Sequence, residues 1–247
     1  MRLIASDYDG TFYIGEITDE QRQAIRDWQA AGNLLGIVSG RSIDCLPPFL
    51  AEDGVDCDFF IANNGAVIAD GKGNILQDTR CDGAHALPIV KALFRLGCPY
   101  GSIITDFPCD VYKEAPKPKP GRYTLEDAPE VKFFYQISTV LPNFAEAARV
   151  TAALQEEFSE WVNPLQNGRC IDIVPAGIDK AAGIRAFIAL KGLTEKDVIA
   201  VGDNVNDAAM IGAFYSYAVE NAVDSIKALA TKITPNITSL IRAEMGE

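Results

Sequence analysis

Three short apolar runs in this chain each stop at a polar cluster, and no other feature constrains the fold as much. Leu3-Ile4-Ala5 runs into Ser6-Asp7-Tyr8-Asp9-Gly10-Thr11. Leu34-Leu35-Gly36-Ile37-Val38 runs into Ser39-Gly40-Arg41, and Val198-Ile199-Ala200-Val201 into Gly202-Asp203-Asn204-Val205-Asn206-Asp207. Runs that are apolar throughout, rather than alternating, mark strands buried on both faces of a parallel sheet. Open parallel sheets bind ligands at the carboxyl ends of their strands. The three clusters, far apart in sequence, would meet there.

The segments between the runs fit such a sheet. Thr18 with Gln21 reads as a capping box, followed by Ala24, Ile25 and Trp28 at helical spacing and by Gly32 as the stop. Helix-compatible sequence after Arg41 is expected to break at Pro47-Pro48. Phe59-Phe60-Ile61-Ala62 reads as a further strand, and Asn63-Asn64-Gly65 as the turn of a hairpin returning through Ala66-Val67-Ile68. From about Arg80 the pattern becomes helix, strand, loop, strand, helix, strand. Residues 113–122 read as a Lys/Pro-rich loop, 132–140 as a strand, and Asn143 with Glu146 as the start of a helix reaching Phe158. After Gly177 the βα alternation resumes: Lys180 lies in the first turn of a helix, and a last helix is expected from Val223 to Lys232. The expected fold class is α/β, a Rossmann-like doubly wound parallel sheet core with an inserted smaller α+β cap domain. The core is placed at 1–80 and 177–247, and the insert at 81–176.

Composition narrows the partners. The 247 residues carry a net charge of -12, which disfavours nucleic acid and anionic membranes. No apolar run approaches the ~20 residues of a membrane span. Asp7 and Asp9 interrupt the first apolar run, so no signal peptide is expected. Six cysteines without a CxxC pair are read as reduced packing residues of a cytoplasmic protein.

The chemistry lies in the strand-end clusters. Residues i and i+2 of a strand share a face, so Asp7 and Asp9 can converge on one reactant. Two carboxylates ~4 Å apart repel by about 4 kcal/mol at an effective dielectric of ~20. Such a cluster either holds protons or binds a cation, and all-oxygen ligands suit Mg²⁺. Lys180 at a helix start adds positive charge. Ser39 and the amides around Gly10 and Gly40 are candidates to cradle phosphate oxygens. One carboxylate can attack while the other moves protons. Arg41 reads as a solvated residue at a helix start, with approach to the substrate as the alternative; Lys113, Lys117, Lys119 and Arg122 read as a solvated loop, with selection of an anionic substrate as the alternative.

With DYDGT, Ser39 in VSGR, Lys180 in AGIDKAAGI, and GDNVND, the sequence resembles the four motifs of the haloacid dehalogenase-like superfamily. NNGAVI at 63–68, IVPAGIDK at 173–180 and NAVDSIKALA at 221–230 further resemble its Cof-type phosphatase branch, which carries a large α/β cap between the second and third motifs. The resemblance implies Asp7 as the nucleophile that forms an aspartyl-phosphate, and Asp9 as the acid that protonates the leaving oxygen and then activates water. It implies Ser39 and Lys180 as phosphoryl ligands, within a phosphate site of Gly10, Thr11, Gly40 and Asn206. Mg²⁺ would be held by the Asp7 and Asp203 side chains and the Asp9 carbonyl. Asn206 and Asp207 would orient phosphate, waters or Lys180. Family dehalogenases lack an acid at the position of Asp9, so the resemblance implies hydrolysis of a small phosphorylated metabolite such as a sugar phosphate. Two departures stand out: aromatic Tyr8 and Phe12 replace aliphatic residues, read as packing changes, and the branch's acidic-Gly-Val ending is missing. Two other functions remain open at this point. A phosphosugar mutase would return the group to a sugar, and a non-catalytic phosphometabolite-binding protein would release no phosphate.

Overall fold

The computed structural model describes residues 1–114, 117 and 119–246. These divide into two compact units, 1–78 with 180–246, and 79–179. In chain order the first unit opens with β1 (Leu3–Ser6), α1 (Asp19–Ala30), β2 (Leu34–Val38), α2 (Leu46–Glu52), β3 (Phe59–Ala62), β4 (Val67–Asp70) and β5 (Ile75–Asp78). The second unit holds β6 (Cys81–Asp82), α3 (Ala86–Arg95), β7 (Tyr100–Ile104), β8 (Pro108–Tyr112), β9 (Arg122–Tyr123), β10 (Phe133–Phe134), β11 (Gln136–Val140), α4 (Phe144–Phe158), β12 (Val162–Asn167) and β13 (Cys170–Pro175). The first unit then resumes with α5 (Lys180–Lys191), β14 (Val198–Gly202), α6 (Ala208–Ala213), β15 (Tyr215–Val219), α7 (Asp224–Leu229), β16 (Lys232–Thr234) and α8 (Ile237–Met245).

The first unit is built on one sheet ordered β16-β15-β14-β1-β2-β3-β4-β5. It is parallel from β16 to β3 and antiparallel over β4 and β5. Every residue of β1 and β14 is buried, which is why these strands read as unbroken apolar runs. The chain leaves β1 toward β2 on one side and returns through β14 on the other. The order therefore reverses between β1 and β14, and such a reversal opens a crevice at the strand ends. Asp7 follows β1 and Asp203 follows β14, and the Asp7 amide donates to the Val201 carbonyl at 2.9 Å.

Close approach seats the helix that carries Lys180. A Cβ on Gly183 of α5 would lie 2.6 Å from Ile61 Cγ2 and 2.7 Å from Gly65 Cα. Glycine inside a helix normally costs about 1 kcal/mol against alanine. Here the contact reverses the sign, because backbone cannot move aside cheaply. Gly183→Ala is expected to lower the unfolding free energy by about 1–2 kcal/mol, read by denaturant titration, rather than raise it.

The second unit has its own core, in which Ile89, Val90 and Leu93 of α3 and Val150 and Leu154 of α4 pack with Ile103, Val111, Ile137, Ile171 and Ile173. The alternate residues of its sheet face the other way. There, register aligns Leu165, Asp172, Ser138, Ser102, Asp110 and Arg122 in one row across β12-β13-β11-β7-β8-β9. Ser138 donates to Asp172 at 2.7 Å and Ser102 to Asp110 at 2.5 Å.

Some local expectations differ from what forms. Pro47 and Pro48 begin α2 rather than break a helix, since the first turn does not need their missing N–H groups. Thr18 Oγ1 caps the Gln21 amide at 3.1 Å, but Gln21 spends its side chain on the Phe12 carbonyl at 2.9 Å, so the box is half made. Strand sequence at 132–140 is split into β10 and β11. The helix expected over 223–232 ends at Leu229 as α7, and β16 and α8 follow it. The expected loop at 113–122 includes 115, 116 and 118, which lie outside the described residues. All six cysteines are free. Among the described residues no helix is long and apolar enough to cross a membrane.

Candidate active site

Lys180 is the centre of the site. Its side chain is 0 % exposed, and its Nζ donates to Asp7 Oδ1 at 2.5 Å and Asp207 Oδ1 at 2.6 Å. A wholly buried ammonium requires such partners. Burial alone would lower the Lys180 pKa, but the Asp207 and Asp7 carboxylates outweigh it and hold the value above that of an ordinary lysine. Asp207 commits its other oxygen to the amides of Asp203 and Asn204, at 2.9 and 3.1 Å. It therefore fixes both Lys180 and the loop after β14.

Carboxyl oxygens of Asp7, Asp203 and Asp207 lie within 4.8 Å of one another. Burial pushes Asp7 up to about 8, against the pull of Lys180 and with the further push of Asp207 and Asp203. Burial likewise raises Asp203, against the hydrogen bond from Thr11. Three crowded carboxyl groups against one ammonium fit a hard divalent cation. With Asp207 fully committed, Asp7 and Asp203 are the side chains left to face it.

The remaining expected residues gather at the same strand ends, some with different partners. Thr11 Oγ1, expected to face phosphate, donates to Asp203 Oδ1 at 2.8 Å. The Gly10 amide, expected in a phosphate cradle, donates to the Tyr13 carbonyl at 3.0 Å instead. Gly10 has φ +84°, and a Cβ there would lie 2.7 Å from Asp203 Oδ2, so only glycine lets Asp203 close in. Asn221 Nδ2 donates to the Gly10 carbonyl at 2.8 Å. Ser39 is buried; its amide donates to the Ile61 carbonyl, and its Oγ accepts from the Arg41 amide at 3.2 Å. Gly40 lies between these two residues. Asn206 Oδ1 is buried and has no hydrogen-bond partner among the described residues.

Asp9 does not point its carboxyl into the acid cluster. It is held by Arg41, through Nε to Oδ2 and Nη2 to Oδ1, both at 2.7 Å. The reading of Arg41 as a solvated residue missed this pair. Asn63 and Asn64, read as a turn, also do more. Both adopt positive φ, 50° and 52°, and their amides donate at 2.9 Å to the carbonyls of Arg41 and Ser39 respectively. The paired asparagines, which tolerate the left-handed region, were the available signal.

The family model for haloacid dehalogenase-like hydrolases matches residues 4–239. This chain belongs to that family. It is a phosphoric monoester hydrolase, and its resemblance to the Cof-type branch holds over the whole chain. Among its relatives, the 5-amino-6-(5-phospho-D-ribitylamino)uracil phosphatase YcsE of Bacillus subtilis is 29% identical, over 95% of this chain and 90% of that protein. The phosphatase of the same name, YbjI of Escherichia coli, is 28% identical, over 93% and 89%. A haloacid dehalogenase-like hydrolase from Bacillus subtilis has the same fold, with a TM-score of 0.82 at 20% identity, over 99% of both chains. So does a sugar phosphatase of subclass IIB, with a TM-score of 0.79 at 17% identity, over 100% of this chain and 98% of that one.

Proposed function

We propose that this hydrolase is a Mg²⁺-dependent phosphatase that cleaves a small phosphomonoester through an aspartyl-phosphate on Asp7. The observation that carries the reading is the bridging of Asp7 and Asp207 by Lys180, with Asp203 in the same cluster. An Asp7 carboxylate oxygen attacks phosphorus as the ester P–O bond breaks, and Asp9 gives its proton to the leaving oxygen. Asp9 then takes a proton from water. That water attacks phosphorus, the Asp7–phosphorus bond breaks, and inorganic phosphate leaves with Asp7 restored. Lys180 and the Ser39 hydroxyl hold phosphoryl oxygens, with Gly40 and Asn206 beside them. The Asp7 and Asp203 side chains and the Asp9 carbonyl would hold Mg²⁺. When bound, Mg²⁺ offsets the charge of the phosphate facing Asp7.

Two observations support this substrate class. The relatives YcsE and YbjI are named for a phosphorylated ribityl compound. The second unit carries a row of hydroxyls and carboxylates, suited to a polyol or sugar. Its role as the cap that selects the leaving group is part of this proposal. So is a cytoplasmic setting, which six free cysteines suit.

The test is phosphate release across a phosphoester panel that includes 5-amino-6-(5-phospho-D-ribitylamino)uracil and sugar phosphates. Release is expected with Mg²⁺, loss of at least about 10²-fold with a chelator, and recovery on adding Mg²⁺ back. An isomerised phosphosugar without free phosphate would mean a mutase. Tight binding with no turnover of any ester would mean a binding protein.

A further inference from the structure

We propose that Arg41 is a positioning residue for Asp9, setting where the proton donor stands beside the leaving oxygen. This rests on the phosphatase reading above and deepens it. Exposed ion pairs usually contribute little, because two long side chains must be ordered to make them. Here the ordering is built in. The Arg41 fork meets both Asp9 oxygens at 2.7 Å, the planar geometry that only a guanidinium supplies. Its Cζ lies 5.6 Å from the Tyr8 ring centroid and 5.3 Å from that of Phe49. Tyr8 in turn stacks on Phe12 and Tyr13, with centroids at 6.3 and 5.8 Å. The aromatic residues that set this chain's first motif apart thus form a shelf for the guanidinium.

The backbone of Arg41 is held as well. Its amide donates to Ser39 Oγ and its carbonyl accepts from the Asn63 amide. Arg41 therefore ties the loop after β1 to the loops after β2 and β3. The pair itself stays open to solvent, with side chains 40% and 56% exposed. A carboxyl that hands a proton to a leaving oxygen can keep only one arm of the fork. Opening one arm leaves the other to hold Asp9 in place. Without Arg41, the Asp9 carboxyl turns freely and meets the leaving oxygen less often.

The experiment compares benzyl phosphate, a poor leaving group that needs a proton, with 4-nitrophenyl phosphate, which leaves without one. Neither ester carries a charge outside its phosphate for Arg41 to bind. The value of kcat/KM reports steps up to phosphoryl transfer to Asp7 and excludes the later hydrolysis. Arg41→Ala is expected to lower kcat/KM for benzyl phosphate by about 10- to 100-fold, and for 4-nitrophenyl phosphate by less than about threefold. Arg41→Lys, which retains one charged bond, is expected to fall between. Thermal melts of both variants check that the fold is kept. Equal losses on the two esters, or no loss on either, would overturn the positioning role and leave the phosphatase reading intact. Release of phosphate from neither ester by the unmodified protein would remove both.

Discussion

Asp7→Asn leaves a folded protein that releases phosphate at least about 10⁴-fold more slowly than the unmodified chain. The amide oxygen cannot attack phosphorus and the amide nitrogen holds no nucleophilic charge, so the first bond does not form. The fold should tolerate the change. Asp7 is only 6% exposed, and its charge is opposed by burial and by two neighbouring carboxylates. Lys180 retains Asp207 at 2.6 Å as a partner. Stability is therefore expected to stay within about 1 kcal/mol. Phosphate release and a denaturant titration on one preparation measure both quantities. Turnover above about a thousandth of the starting rate would exclude the aspartyl-phosphate route.

Lys180→Met is expected to damage the fold as well as the activity. Methionine fills a similar volume, so packing is largely kept and the lost charge is what the variant reports. Without the ammonium, Asp7 and Asp207 lose their shared partner while Asp203 stays close to both. Breaking a buried ion pair from one side costs about 3–5 kcal/mol, because the other charge stays buried and uncompensated. The same variant should lose at least about 10²-fold in turnover, since the proposed phosphoryl ligand and the orientation of Asp7 go together. Denaturant titration distinguishes this from Asp7→Asn, where stability is kept. A Lys180→Met protein as stable as the starting chain would mean that the three carboxyls share protons rather than depend on Lys180.

Much of the core was legible because its strands are buried on both faces. That burial demands unbroken apolar runs, and each run ends where the backbone must turn and polar side chains are allowed. So the placement of Asp7, Ser39 and Asp203 at strand ends was legible from local pattern. Pro47-Pro48 misled because proline ends one helix and starts another with equal ease, and only the flanking geometry distinguishes them. β16 was missed because Lys232–Thr234 is three residues long and only one of them is buried. So short a run leaves no periodicity to read.

The sequence by itself determined the strand-end chemistry: which residues are acids, which are donors, and that a parallel sheet gathers them. Only the tertiary structure decided how the charges pair. Lys180 meets Asp7 and Asp207 because Gly183 lets α5 close on Gly65 and because β14 lies beside β1. Asp9 turns to Arg41 rather than to the acid cluster because Tyr8 and Phe49 offer the guanidinium a shelf. Partners 27 to 173 residues apart depend on sheet order and on the clearance of single atoms, and neither leaves a periodic trace in the chain.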